Sequence, residues 1–156
     1  MSEALARVRA DAASEARPTF ALLAGWQRRV LGRPAPFRTG AAFAKGGRER
    51  YGAWPDLPIR FAECLAQSDE PGTPPASRAA RAYLDVCFFH PFEDGNGRSA
   101  FLTLVFVLAR EGVALDQVGP IRRPVRHADD PEDALALADL VAVLIDPARG
   151  RAVSGR

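Results

Sequence analysis

An imidazole, two carboxylates, a carboxamide, two glycines and a guanidinium fall within nine consecutive residues, His90-Pro91-Phe92-Glu93-Asp94-Gly95-Asn96-Gly97-Arg98. A loop that only joined two elements would need one or two turn formers, so this density asks for a chemical reason. Gly95 and Gly97 allow the backbone positive φ and leave no Cβ in the way of a ligand. Successive N–H groups in such a turn make a concave anion site. A helix starting near Arg98 would aim its unpaired N–H groups into the same place. Arg98 adds a charge that can grip phosphate oxygens bidentately. Asp94 is a hard oxygen donor, suited to a Mg²⁺ ion that bridges phosphates. His90 has the one side chain here with an unperturbed pKa near neutrality. Anion cradle, metal carboxylate and candidate base together point to phosphoryl or nucleotidyl transfer.

Two apolar helices must hold this loop. The spacing predicts one over Ala76–Phe89, ending at His90 because a residue before proline is pushed out of helical geometry. The second, Arg98–Arg110, is so apolar that it belongs at the centre of the fold. Upstream, Ala4–Ala16 reads as a peripheral helix, and Thr19–Leu31 repeats apolar residues at helical spacing. Phe37–Trp54, with Gly46-Gly47 at its middle, has the composition of a short hairpin or flap. Pro55 opens a further helix to about Gln67, with Ile59, Phe61, Ala62 and Leu65 as its inner side. A last helix runs from about Pro131 to Ile145, before a frayed tail. The organisation expected is a peripheral helix over residues 1–18, one catalytic domain over 19–146 and a flexible tail over 147–156.

The 156 residues suit one domain. With 47% apolar and 26% charged residues, a disordered chain is excluded. The formal net charge of +2 argues against a broadly basic nucleic-acid surface. The apolar stretch Ala100–Ala109 is far short of the roughly 20 residues that cross a bilayer, so no membrane partner is expected. Met1–Arg17 is too charged for a secretory signal. Cys64 and Cys87 have no metal-type cluster around them and read as buried thiols. A cytoplasmic, disulfide-free protein is the expectation.

The run from His90 to Arg98 resembles the signature of the Fic (filamentation-induced-by-cAMP) family, His-Pro-Phe-x-(Asp/Glu)-Gly-Asn-Gly-Arg-x-x-Arg, at all eight specified positions in that span. Pro36–Gly40 and Tyr51–Pro58 resemble the segments that enter and leave the family's flap. The resemblance implies an all-α, compact helical bundle with a small β-hairpin flap over the active loop. It implies transfer of AMP from ATP, with Mg²⁺, to a Ser, Thr or Tyr hydroxyl of a target protein. Carried over by residue, His90 is the general base and Asp94 holds Mg²⁺. Gly95, Asn96 and Gly97 cradle the phosphates, Arg98 neutralises them, and Phe92 anchors the loop. The flap, with Ala42, Phe43, Ala44, Lys45 and Tyr51, would hold the target by strand addition.

One position departs from the signature. Its second arginine falls where this chain has Phe101, on the helix face shared with Arg98. That departure leaves open a kinase-like phosphoryl transfer, as in the Doc branch, a different nucleotide or CDP-linked donor, and a non-catalytic nucleotide-binding or interaction module. On this reading, Phe101→Arg should tighten ATP binding. The family's inhibitory Ser/Thr-x-x-x-Glu-Gly/Asn motif is not found, which leaves inhibition to a separate antitoxin-like chain or to none. Arg38 reads equally as a structural ion pair or a target contact. Tyr51 and Trp54 read as flap or core. His127 reads as solvated, with a substrate or nucleobase contact as the alternative, and the cluster Arg122, Arg123 and Arg126 reads as a solvated face, with contact to a partner or nucleotide as the alternative.

Overall fold

A computed structural model describes residues 1–115, 119–122 and 126–154. In chain order it has α1 (Ser2–Ala13), α2 (Phe20–Leu31), β1 (Ala42–Ala44), β2 (Glu49–Tyr51), α3 (Leu57–Ala66), α4 (Pro75–Phe89), α5 (Asn96–Arg110), α6 (Gly119–Arg122) and α7 (Pro131–Ser154). This is the expected helical architecture with one small antiparallel hairpin. The short α6 was not anticipated, and Arg123 of the basic cluster lies outside the described residues.

α5 is the central rod, since every residue from Ser99 to Leu108 is buried. A helix apolar on all sides has to be surrounded. α4 lies between α5 and α7 and also meets α3, while α1 and α2 pack on each other and on α5. Local chemistry sets the ends. The Thr19 hydroxyl accepts from Leu22 N–H at 3.3 Å to start α2, and Gly32, at φ 68°, stops it in the left-handed conformation. Five phenylalanines, Phe20, Phe37, Phe61, Phe89 and Phe92, form a cluster with ring centroids 5.0–6.4 Å apart. Burying each such ring contributes about 1.5–3 kcal/mol. Phe92 thereby anchors the chemically dense loop.

Three expectations about the helices change. α1 is not peripheral, because Ala4, Val8 and Ala12 are buried in the core. Asp11 accepts from Trp26 Nε1 at 2.8 Å and pairs with Arg7 at 2.7 Å. Alanines give a weak hydrophobic signal, yet their small size lets two helices close on each other. On α3 the inner side is Leu57, Phe61 and Leu65, while Ile59 is 63% exposed. α7 continues past Ile145 to Ser154, so most of the stretch read as a tail has helical backbone. Among the described residues no helix is long and apolar enough to cross a membrane.

β1 and β2 pair with Ala42 opposite Tyr51, Phe43 opposite Arg50 and Ala44 opposite Glu49. The turn between them carries Lys45, Gly46 and Gly47 at φ 50°, 68° and 85°. Two successive glycines make such a left-handed run accessible.

Candidate active site

His90 closes α4. Its N–H donates to Val86 O at 3.0 Å, and its backbone is left-handed at φ 46°, ψ 60°, uncommon for a residue with a Cβ. That bend swings the imidazole into a cleft of about 600 Å³, walled by the loop 93–98, Tyr83 and the hairpin turn. Nδ1 lies 2.7 Å from Cys87 O. A carbonyl can only accept, so Nδ1 carries the hydrogen and the neutral ring keeps its lone pair on Nε2. Burial pushes the His90 pKa below its ordinary 6.5, and the Arg38 charge pushes the same way. The Cys87 carbonyl and Glu49 oppose them without reversing the shift.

α5 begins without a side-chain cap at Gly95, whose carbonyl accepts from Arg98 and Ser99 N–H at 3.0 Å each. The first turn of α5 therefore offers N–H groups to the cleft. Gly95 has φ 75°, and a Cβ there would lie 2.4 Å from Gln27 Nε2. Gln27, fully buried on α2, donates to Asp94 O at 2.7 Å. Sequence reasoning missed it, although a polar residue on the apolar face of α2 was the available signal.

Two expectations about this loop are corrected. Gly97 does not use positive φ; it sits in ordinary helix, and a Cβ on it would meet nothing within 4 Å. Its lack of a side chain keeps the approach to α5 open. The Asn96 carboxamide does not face an anion. It is buried, accepting from Phe92 N–H at 3.0 Å and donating to Phe92 O at 2.8 Å, so only the Asn96 backbone is left for a ligand. Asp94 and Arg98 pair at 3.4 Å with both side chains well exposed. Such an i,i+4 pair is weak and can open to a ligand.

Of the flap residues, Phe43, Ala44 and Lys45 line the cleft, and Lys45 is tied to Glu49 at 2.6 Å. Ala42 does not; it is buried, because the pleat turns it inward from Phe43. Tyr51 lies flat on the His90 ring, with centroids 3.5 Å apart and planes at 12°. Arg38 is neither an ion pair nor a surface contact. It is buried and donates to five carbonyls: His90, Phe89, Gly40, Tyr51 and Gly52. One guanidinium thus bolts the end of α4 to the base of the hairpin. Nothing local in the sequence announces this, since the partners lie up to 52 residues away.

Among the described residues no three His, Cys, Asp or Glu side chains gather as a metal cage. A Mg²⁺ ion that keeps its waters and shares phosphates needs only one or two carboxylates. The exposed Asp94, beside an uncapped helix start and the open side of Gly97, fits such an ion with a phosphorylated ligand.

The model of the Fic/DOC family matches residues 21–108, more than half of the chain. The chain belongs to the Fic/DOC family. Its fold is also similar to the crystal structure, at 2.71 Å, of a Fic domain-containing signaling protein from Bacteroides thetaiotaomicron VPI-5482, with TM-score 0.65 and 19% identity. That similarity covers 91% of this chain and 65% of the other, so the present chain spans about two thirds of that protein. At this identity the likeness shows the fold alone. No curated protein matches the sequence. Family membership supports a general Fic-type transferase function, in a family that generally uses ATP and Mg²⁺.

Within this Fic domain, the departure at Phe101 turns out differently from the sequence reading. The ring does not stand over the phosphate cleft. It is 3% exposed and lies in the groove between α1 and α5 with Leu5, Arg9 and Val105. A second hollow of about 380 Å³ adjoins the Tyr51–His90 stack and is lined by Arg50, Trp54, Phe88, Arg126 and His127, among others. Trp54 and Phe88 are 40% and 46% exposed. His127 is exposed as expected and is held by Asp133, which accepts its N–H at 2.6 Å.

Proposed function

We propose that this Fic domain transfers AMP from ATP to a Ser, Thr or Tyr hydroxyl of a target protein. The observation that carries the reading is the 2.7 Å approach of His90 Nδ1 to Cys87 O. The Nδ1–H is spent on Cys87 O, which leaves Nε2 as a base in the cleft that holds the start of α5. Nε2 takes the hydroxyl proton, the hydroxyl oxygen bonds to the α-phosphorus, and the bond to the leaving pyrophosphate breaks. The N–H groups of the first turn of α5 and the Arg98 guanidinium hold the phosphate oxygens. Asp94 would hold Mg²⁺, which supplies charge neutralisation to the phosphates when bound. The rings of Trp54 and Phe88 in the adjoining hollow suit the nucleobase. The target would lie along an open edge of the hairpin, joined by backbone hydrogen bonds.

The cleft lining favours one second reading. Among the described residues Arg98 is the one arginine that lines the cleft, so the outer phosphates of ATP have no second guanidinium there, which makes γ-phosphoryl transfer the competing outcome. Incubating the protein and its His90→Ala variant in lysate with Mg²⁺ and ATP labelled at the α- or γ-position separates the two. Protein-bound α-label that disappears with His90→Ala supports AMP transfer. Label from the γ-position alone replaces it with phosphorylation. ATP binding without transfer of either label overturns both readings.

A further inference from the structure

The contact between Tyr51 and His90 is unlike the other ring contacts of the molecule. The remaining described ring pairs sit at 5.0 Å or more, the usual spacing for aromatic pairs. Tyr51 and His90 lie at 3.5 Å and nearly parallel. A face-on contact covers the plane of the imidazole and leaves both edges free. One edge is used by Cys87 O, and the other carries Nε2, in a residue that lines the cleft.

The tyrosine ring is itself held. Its hydroxyl donates to Glu49 Oε2 at 3.0 Å, and Lys45 holds Glu49 Oε1 at 2.6 Å. Burial, then the bond to Glu49, push the phenol pKa up to about 12, so it remains a donor across the physiological range. The two backbones are tied as well. Arg38 donates to Tyr51 O at 3.4 Å and to His90 O at 2.5 Å. One guanidinium thus fastens the backbones that carry the two rings.

We infer that Tyr51 is a positioning residue for His90: its ring face, rather than its hydroxyl, holds the imidazole so that Nε2 stays aimed into the cleft. The inference rests on His90 being the base of the proposed reaction. The groups that face the imidazole are Arg38, Glu49, Tyr51 and Cys87, and Lys45, Tyr83, Glu93, Asp94 and Arg98 line the same cleft. Of these, Tyr51 stacks on the ring face. Removing it admits water to the imidazole and frees its rotation about the Cβ–Cγ bond.

Imidazole ¹H–¹⁵N spectra over pH 5–8 test this without donor or target, so the result stands apart from the identity of the reaction. The chain has two histidines, and His90→Ala assigns the signals. In the unaltered protein His90 should titrate below 6.5, carry its proton on Nδ1 when neutral, and show ring protons shifted upfield by the tyrosine. Tyr51→Leu keeps bulk without an aromatic face; it should move the midpoint up toward 6.5, abolish the upfield shift and mix the tautomers. Tyr51→Phe should preserve all three features. In the label-transfer assay the leucine variant should lose about tenfold or more in rate, while phenylalanine stays within about twofold. A leucine variant with unaltered His90 midpoint and tautomer overturns the inference. So does a phenylalanine variant as impaired as leucine.

Discussion

The anion site makes opposite demands on its two glycines, and paired alanine substitutions expose the difference. Gly95→Ala places a Cβ at φ 75°, 2.4 Å from Gln27 Nε2 and 3.0 Å from Arg98 Nη2. The left-handed backbone costs a residue with a Cβ about 1–2 kcal/mol. Pushing Gln27 off Asp94 O strands a buried amide for about 1–3 kcal/mol more. The total, about 2–5 kcal/mol, corresponds to a fall in Tm of roughly 4–20 °C for a chain of this length. Gly97→Ala meets nothing within 4 Å and sits in regular helix. Its expected effect on folding is a gain of about 0.5–1 kcal/mol from helix propensity. Its methyl group, however, occupies the space through which a phosphate oxygen reaches the N–H groups of α5. Binding of ATP with Mg²⁺ should weaken at least about tenfold, or 1.4 kcal/mol. Thermal unfolding and calorimetric titration of both variants decide the matter. Gly97→Ala that binds ATP as tightly as the unaltered protein refutes the placement of phosphates over α5. An unchanged Tm for Gly95→Ala refutes the claimed packing of Gln27.

Four further outcomes are expected. The depressed His90 pKa, due first to burial, means that the base is deprotonated above a midpoint lower than 6.5; the acid limb of label transfer against pH should fall there, and a midpoint at or above 6.5 would contradict it. The same shift makes the unfolded chain bind the proton first as pH falls through this window, so urea-unfolding stability should decline there. Arg38→Met leaves buried carbonyls at Phe89 and Gly52 without their donor, a loss of about 2–5 kcal/mol in urea unfolding, with the His90 titration moving upward. Phe101→Arg puts a charge into the α1–α5 groove beside Arg9; it should cost about 3–5 kcal/mol of stability and leave ATP affinity no better, and tighter ATP binding would show that position 101 does reach the cleft.

How much could be read from the chain depended on the range of each interaction. The loop His90–Arg98 is legible because its chemistry is compressed into consecutive positions, and α4 and α5 are legible because their apolar residues are dense and periodic. The roles inside the loop were less so. Asn96 is spent on Phe92 four residues away, a staple that looks in sequence like one more polar ligand. Gly97 serves by lacking a Cβ rather than by its φ. The partners of Gln27 and Arg38 were beyond reach for another reason, even though a polar residue on the apolar face of α2 marks Gln27 as unusual. These partners lie 67 and 52 residues off, and they are backbone carbonyls, which every residue has. The depth of α1 was hidden by alanines, whose burial depends on how closely α5 approaches rather than on their own hydrophobicity.

The loop joins the C-terminal end of one helix to the N-terminal end of the next, and these ends carry opposite partial charges. Left alone, the last carbonyls of α4 would favour a protonated imidazole at His90 and repel a phosphate nearby. Arg38 removes that difficulty by donating to both Phe89 O and His90 O. With those carbonyls occupied by a fixed cation, the imidazole gains little from holding a proton, in keeping with the direction in which Arg38 shifts it. The opposite end is treated the other way. Gly95 supplies no side chain to the N–H groups of α5, so their partial positive charge remains free for an anion. A neutral base and a polyanion can therefore share one cleft because one helix end is capped and the other is bare, and the residue that does the capping also carries the hairpin whose Tyr51 covers the imidazole.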